Sequence, residues 1–235
     1  MTPLRLRADQ LLSRYGYCSR SEARAWLRRG RLTLCGEPIQ DPAQRLEVHQ
    51  CAVDGRPVEF PDGLLVMFHK PAGFTCSHEE RDGPTIYERL PLQWSSRNPP
   101  VTSIGRLDKD ATGLLLLTDQ GEWVHQLTSP RHKVPKLYEV DVAADLPPGL
   151  TELFASGTLH LDGEPKPCQP ARLELLGPRQ ARLELTEGRY HQVKRMFGSQ
   201  GCPVIRLHRK RIGALDLGDL EVGNWRPIQA TEVGL

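Results

Sequence analysis

The stretch Gly105-Arg106-Leu107-Asp108-Lys109-Asp110-Ala111-Thr112-Gly113-Leu114-Leu115-Leu116-Leu117-Thr118 places two carboxylates on a glycine-bearing loop just ahead of four consecutive leucines. A short apolar run of this kind, closed by Thr118, reads as a buried strand. A carboxylate in the loop feeding such a strand can be held rigidly beside a cleft. The same residue type in the same place also serves as a turn or capping residue. Taken alone, the loop leaves both readings of Asp108 open.

Outward from this strand the elements are short, as 21 Gly and 20 Pro in 235 residues imply. Leu64 to Lys70 reads as a buried strand closed by Pro71-Ala72-Gly73, Thr85 to Leu90 as a short helix, and Pro91 to Pro100 as loop. Asp119 is placed to cap a helix through Leu127, and Lys136 to Val142 alternates as a strand. Beyond Pro147-Pro148 come a helix over Leu150 to Ser156 and a hairpin of Ala171 to Leu175 with Ala181 to Thr186. Tyr190 to Gln200 reads as a helix and Val204 to Ile212 as a strand. With no regular βαβ alternation, the expected class is α+β with a largely antiparallel sheet.

The N-terminal region differs in charge and pattern. Residues 1–35 carry eight arginines against Asp9 and Glu22, a local charge of +6 that leaves −4 for the remainder of a chain whose net charge is +2. Leu11, Leu12 and Tyr15 fall at helical spacing before Gly16, and Ser19-Arg20-Ser21-Glu22 matches a capping box. In the helix that follows, up to Gly30, Ala23, Trp26 and Leu27 share one side while Arg20, Arg24 and Arg28 repeat every four residues on another. Arg31 to Cys35 and Val48 to Val53 read as extended segments. A localised basic face suits a nucleic-acid backbone, and equally a solvated helix surface. Glu59 to Gly63, with Phe60-Pro61-Asp62-Gly63, is the candidate linker, and the expected domains are 1–59 and 60–235.

Several classes are set aside by composition. No apolar run approaches the roughly 20 residues that span a bilayer, and Met1 to Arg7 lacks the apolar stretch of a secretory signal. The expectation is a soluble, cytoplasmic protein without membrane partners. Six cysteines with no C-x-x-C spacing read as reduced thiols, and Cys76 with His78 lacks a second ligand pair for a metal.

Two resemblances sharpen these readings. LRADQLLSRYGYCSRSEARAWLRRGRLTLCGEPI, Leu6 to Ile39, resembles an S4 RNA-binding domain, most specifically through S-R-S-E-A-R. HKPAGF (His69 to Phe74), GRLDKDATGLLLLT (Gly105 to Thr118), KLYEV (Lys136 to Val140) and EGRYHQVKRMF (Glu187 to Phe197) resemble, in order, the motifs of pseudouridine synthases. The S4-like segment, TSPRHKVPKLYEV and LHRKRIG (Leu207 to Gly213) look most like the RsuA type, which acts on small-subunit ribosomal RNA.

The resemblance implies an RNA uridine-to-pseudouridine isomerase with Asp108 as nucleophile and no cofactor or metal. Lys194 aligns with the basic residue that pairs with the Asp, and Arg195 is the second candidate. Tyr138 aligns with the aromatic that stacks on the target uracil, Leu207 with the floor of its pocket. Arg106 would hold a phosphate or fill the space left by the extruded base. His191 and Gln192 would organise the loop around Lys194, and His69, Lys70, Pro71 and Gly73 would form the turn beside the pocket, where Lys70 could touch RNA. Arg20, Arg24 and Arg28 would contact RNA phosphates.

The expected partner is ribosomal RNA or a ribosome assembly intermediate, bound by a monomer. Alternatives are a large-subunit target, a non-catalytic RNA-binding assembly factor, and a metal-dependent nuclease using Asp108 and Asp110.

Overall fold

The computed structural model describes residues 4–79, 82–129 and 132–234, so Met1 to Pro3 of the N-terminal segment and Pro130 and Arg131 of the Thr128 to Val140 stretch lie outside the described residues. The chain forms two compact units: Met1–Leu65 with Tyr87–Thr102 and Leu117–Gly121, and Val66–Ile86 with Ser103–Leu116 and Glu122–Leu235.

In the first unit β1 (Arg5–Arg7) runs into α1 (Ala8–Arg14), and α2 (Ala23–Arg28) follows. Next come β2 (Leu32–Leu34), β3 (Glu37–Pro38), β4 (Arg45–Glu47), β5 (Cys51–Val53) and β6 (Arg56–Pro57). β1 pairs with β4, and the others form a sheet in the order β3-β2-β5-β6. The helical spacing of Leu11, Leu12 and Leu27 delivers all three to the core, fully buried, each worth roughly 1.5 to 3 kcal/mol.

Ser19 and Glu22 exchange the expected bonds: the Ser19 N–H donates to Glu22 Oε2 at 2.9 Å and the Glu22 N–H to Ser19 Oγ at 3.4 Å. Regular helix nevertheless begins only at Ala23, so Arg20 sits in the turn before it, 3.1 Å from Asp9. Arg24 and Arg28 are exposed on the helix itself. Trp26 is half-buried, with the Arg31 guanidinium 3.4 Å above its ring. Within the segment expected to be extended, Val48–Gln50 instead makes one 3₁₀ turn that buries Val48.

Two expectations are corrected in this unit. Pro91 to Pro100 is not all loop, because α3 (Leu92–Ser95) lies within it and buries Trp94. Four residues between prolines are too few for a periodic signal, and α3 is held by groups remote in sequence. The Trp94 indole N–H donates to Glu59 Oε2 at 2.8 Å, and Gln93 Nε2 donates to the Tyr15 carbonyl at 2.8 Å. Gly16, at φ +76°, admits this approach: a Cβ there would lie 2.2 Å from the Gln93 carbonyl oxygen.

Asp119 does not cap α4 (Gly121–Thr128) either. Its side chain is only 4% exposed and is committed to Arg97, itself fully buried, at 2.8 Å, and to the Leu64 N–H at 2.7 Å. Arg97 also donates to the Glu59 carbonyl at 3.2 Å, so one guanidinium ties together three stretches of chain.

The second unit is built on a mixed sheet. Its strands are β7 (Leu65–Lys70), β8 (Thr102–Ile104), β9 (Thr112–Thr118), β10 (Lys136–Val142), β11 (Arg172–Gly177), β12 (Gln180–Leu185), β13 (Val204–Ile212), β14 (Leu215–Asp216) and β15 (Trp225–Pro227). Helices α5 (Leu150–Ser156), α6 (Gln192–Gly198) and α7 (Ala230–Val233) flank them. The order is β11-β12-β10-β13-β9-β7-β15, with β14 on β13 and β8 on β9.

Antiparallel pairing dominates, while β13 meets β9 in parallel through His208 with Thr112 and Arg209 with Gly113. The architecture is α+β. Among the described residues no helix is long and apolar enough to cross a membrane.

Arg97→Met is expected to destabilise the protein by about 3 to 5 kcal/mol, because it strands a buried carboxylate, whereas Arg97→Met with Asp119→Leu recovers most of that loss. Urea denaturation of the two variants checks this, and equal losses in both would contradict it.

Candidate active site

The leucines of β9 are fully buried, which anchors the C-terminal end of the Gly105–Ala111 loop. Gly113, at φ +110°, lets β13 close on β9: a Cβ there would lie 2.3 Å from the Arg209 carbonyl oxygen. The loop is then clamped by its backbone carbonyls. Lys70 Nζ donates to the Lys109 carbonyl at 3.1 Å, to Ala111 at 2.8 Å and to Pro71 at 3.0 Å. Arg209 donates from Nη1 to the Arg106 carbonyl at 3.3 Å and from Nε to Leu114 at 2.8 Å. The Gly73 N–H reaches the Lys109 carbonyl at 2.7 Å, and the Cys76 thiol donates to the Leu107 carbonyl at 3.4 Å.

Lys70 is therefore fully buried and cannot reach RNA. Cys76 braces this loop. Among the described residues no group of three or more His, Cys, Asp or Glu side chains is arranged to hold a metal.

From this fixed loop the Asp108 carboxylate emerges with 20% of its side chain exposed. Lys194 Nζ, on α6, stands 3.3 Å from Asp108 Oδ2 and donates to Asp110 Oδ1 at 2.5 Å. His191 Nε2 lies 3.5 Å from Asp108 Oδ1. The ammonium thus lies within ion-pair distance of both carboxylates.

Burial works against the charge on Lys194, but its hydrogen bond to Asp110 and the charge of Asp108 outweigh it and raise the pKa above the ordinary lysine value. The hydrogen bond from Lys194 lowers that of Asp110. The site keeps its cation and the Asp110 anion across neutral pH.

α6 starts at Gln192 rather than Tyr190 because His191 adopts a left-handed conformation, φ 48°. Gln192 is buried, donating to Glu187 Oε1 at 2.6 Å and accepting from the Arg189 N–H at 2.9 Å, so it shapes the loop before Lys194.

The remaining candidates separate. Arg195 does not face Asp108: it pairs with Glu164 at 3.0 Å and donates to the carbonyls of Tyr190 and Asp162. Tyr138 is buried on β10 opposite Arg209, the residue that grips the loop. Leu207 is buried two positions along β13 from Arg209, hence on the same sheet face. The Arg106 side chain is exposed and makes no ion pair among the described residues. The sequence reading missed Arg209. Its position in LHRKRIG holds several cations, and alternation along a strand does not say which one is buried.

The RNA pseudouridylate synthase family matches residues 64–199, and the S4 domain matches residues 6–50. Ribosomal small subunit pseudouridine synthase A of Escherichia coli (strain K12) is 40% identical over 97% of this chain and 98% of its own length. The protein of the same name from Pasteurella multocida (strain Pm70) is 38% identical, with the same coverage. A crystal structure of a pseudouridylate synthase superposes with a TM-score of 0.67 at 36% identity, covering 97% of this chain and 98% of that one.

Burial pulls the pKa of Lys70 down to about 8. Because the folded-state value lies below the unfolded one, the cost of burying the charge is fully present below about pH 8. It is relieved as pH rises toward the ordinary lysine value near 10.4, and a gap of this size is worth about 3 kcal/mol. The stability of the native protein relative to Lys70→Met is therefore expected to rise across that window. Parallel pH profiles of denaturation midpoints would refute it.

Proposed function

The chain belongs to the RNA pseudouridylate synthase family, and from that membership we propose that it isomerises a specific uridine of small-subunit ribosomal RNA to pseudouridine, with Asp108 as nucleophile. The observation that carries the reading is the Asp108 carboxylate, presented on a clamped loop with the Lys194 ammonium 3.3 Å away. The full-length likeness to enzymes named for the small ribosomal subunit supports the choice of substrate.

Uridine and pseudouridine contain the same atoms at the same oxidation level, so no external reductant, oxidant or group donor is required. The bond from the ribose to N1 breaks, the base turns, a bond to C5 forms, and C5 loses a proton while N1 gains one. Asp108 keeps hold of the nucleotide covalently while the base turns. It must be ionised to do so, and the Lys194 ammonium stands 3.3 Å from its Oδ2.

Tyr138 supplies a flat face for the uracil. Stacking contributes about 1 to 3 kcal/mol per base and is insensitive to rotation in the ring plane. Leu207 floors the pocket. Arg106, exposed beside the nucleophile, takes a phosphate or the space left by the extruded base. In this reading residues 1–59 bind RNA, residues 60–235 carry the chemistry, and the protein works as a monomer in the cytoplasm on ribosomal RNA or an assembly intermediate.

Asp108→Asn is expected to abolish conversion while RNA affinity falls less than about tenfold, since the amide keeps the size but not the nucleophile. The check is to incubate wild type and variant with small- and large-subunit RNA and map pseudouridine in each. Turnover by the variant near the wild-type rate would overturn the role of Asp108, and conversion confined to large-subunit RNA would overturn the substrate.

Replacing Arg20, Arg24 and Arg28 together by Ala is expected to weaken RNA binding and to flatten the slope of log affinity against log salt by about 2 to 3 units. Single-turnover rates at saturating RNA are expected to stay near wild type. An unchanged salt slope would make this face a solvated surface.

A further inference from the structure

Tyr190 is 67% exposed, an unusual state for a large aromatic in a segment held as firmly as this one. Its ring stacks on the His191 imidazole, with centroids 3.9 Å apart and planes inclined by 18°. The backbone beneath is locked. Arg195 Nη1 donates to the Tyr190 carbonyl at 3.2 Å and pairs with Glu164, and the neighbouring Arg189 is bound to Glu187 at 3.1 Å and to the Lys166 carbonyl at 2.6 Å. His191 is held in the left-handed region at φ 48°, a conformation that costs a non-glycine residue energy and that the surroundings must enforce.

This anchoring does not serve burial of Tyr190, since the outer face of its ring is left to solvent. It fixes a two-ring stack whose inner member touches the Asp108 carboxylate at 3.5 Å. Exposed aromatic faces held in place are what unpaired nucleobases stack on, and single-stranded or extruded RNA segments are recognised in this way.

We propose that the Tyr190–His191 stack is a platform for the base of the nucleotide next to the target uridine in the RNA chain, so that Tyr190 determines how the substrate is seated at Asp108. The proposal rests on the reading of the site as acting on a uridine in RNA. It extends that reading to a second nucleotide. Arg195 then acts as a positioning residue, setting the platform rather than the nucleophile.

The experiment uses the full-length protein and a small-subunit RNA fragment in three forms: intact, abasic at the nucleotide 5′ to the target, and abasic at the nucleotide 3′ to it. On intact RNA Tyr190→Ala is expected to raise KM about five- to twentyfold, the lower part of the range for base stacking, with kcat changed less than about threefold. Tyr190→Phe, which keeps the ring, is expected to stay near wild type. On one of the two abasic RNAs the penalty of Tyr190→Ala is expected to vanish.

Equal penalties on all three RNAs would overturn the platform, as would loss in Tyr190→Phe matching that in Tyr190→Ala. The same comparison read as equilibrium RNA affinity does not depend on turnover. A failure of the platform is thereby distinguished from a failure of the isomerase reading, which wild-type conversion on intact RNA tests directly.

Discussion

The geometry of the site depends on a buried ammonium. Lys70 has three N–H donors and finds three backbone carbonyls, at Pro71, Lys109 and Ala111, so a charge fully removed from solvent keeps every donor matched. An ammonium buried without such partners would cost several kcal/mol. The same bonds prevent the Asp108 loop from relaxing, since moving it would strand both the carbonyls and the charge. Arg209 grips the main chain as well, at Arg106 and Leu114. The loop is held by its main chain, and its side chains are left to function.

The arrangement divides the cations by task. Lys70 and Arg209, which face carbonyls of the Asp108 loop, are buried and structural. Lys194, on α6 and partly exposed, places its charge between the carboxylates of Asp108 and Asp110. Arg189 and Arg195 spend their guanidinium groups on Glu187, Glu164 and nearby carbonyls. The segment 187–195 therefore carries an ordered loop, a strained His191 and an exposed Tyr190 within a few residues of Lys194. The RNA platform proposed for that loop gives the aromatic left in solvent a use.

In the first unit a different economy operates. The apolar stripe of α1 and α2 reaches the core as its spacing requires, yet Arg97 and Asp119 come from segments far apart in the chain and meet with almost no exposure. Their guanidinium and carboxylate also satisfy the Glu59 carbonyl and the Leu64 N–H, so the pair specifies how these segments pass one another.

Much of this was legible in the residues. Strands β10 and β13 and helix α5 occupy the expected ranges, because their periodicity is local and long enough to read. The four-leucine run was a buried strand, and Asp108 with Lys194 came together as the motif resemblance implied. Other features were decided elsewhere. Asp119 looks like a helix cap in sequence, but a buried arginine more than twenty residues away claims it. α3 is four residues held by Glu59 and Tyr15, partners that no window around it contains.

Lys194 and Arg195 are adjacent and both basic, so residue type and spacing alone put a cation near Asp108, and the motif resemblance ranked Lys194 ahead of Arg195 without a geometric reason. Successive residues on a helix point about 100° apart, and only the packing of α6 turned Lys194 to the carboxylates and Arg195 to Glu164.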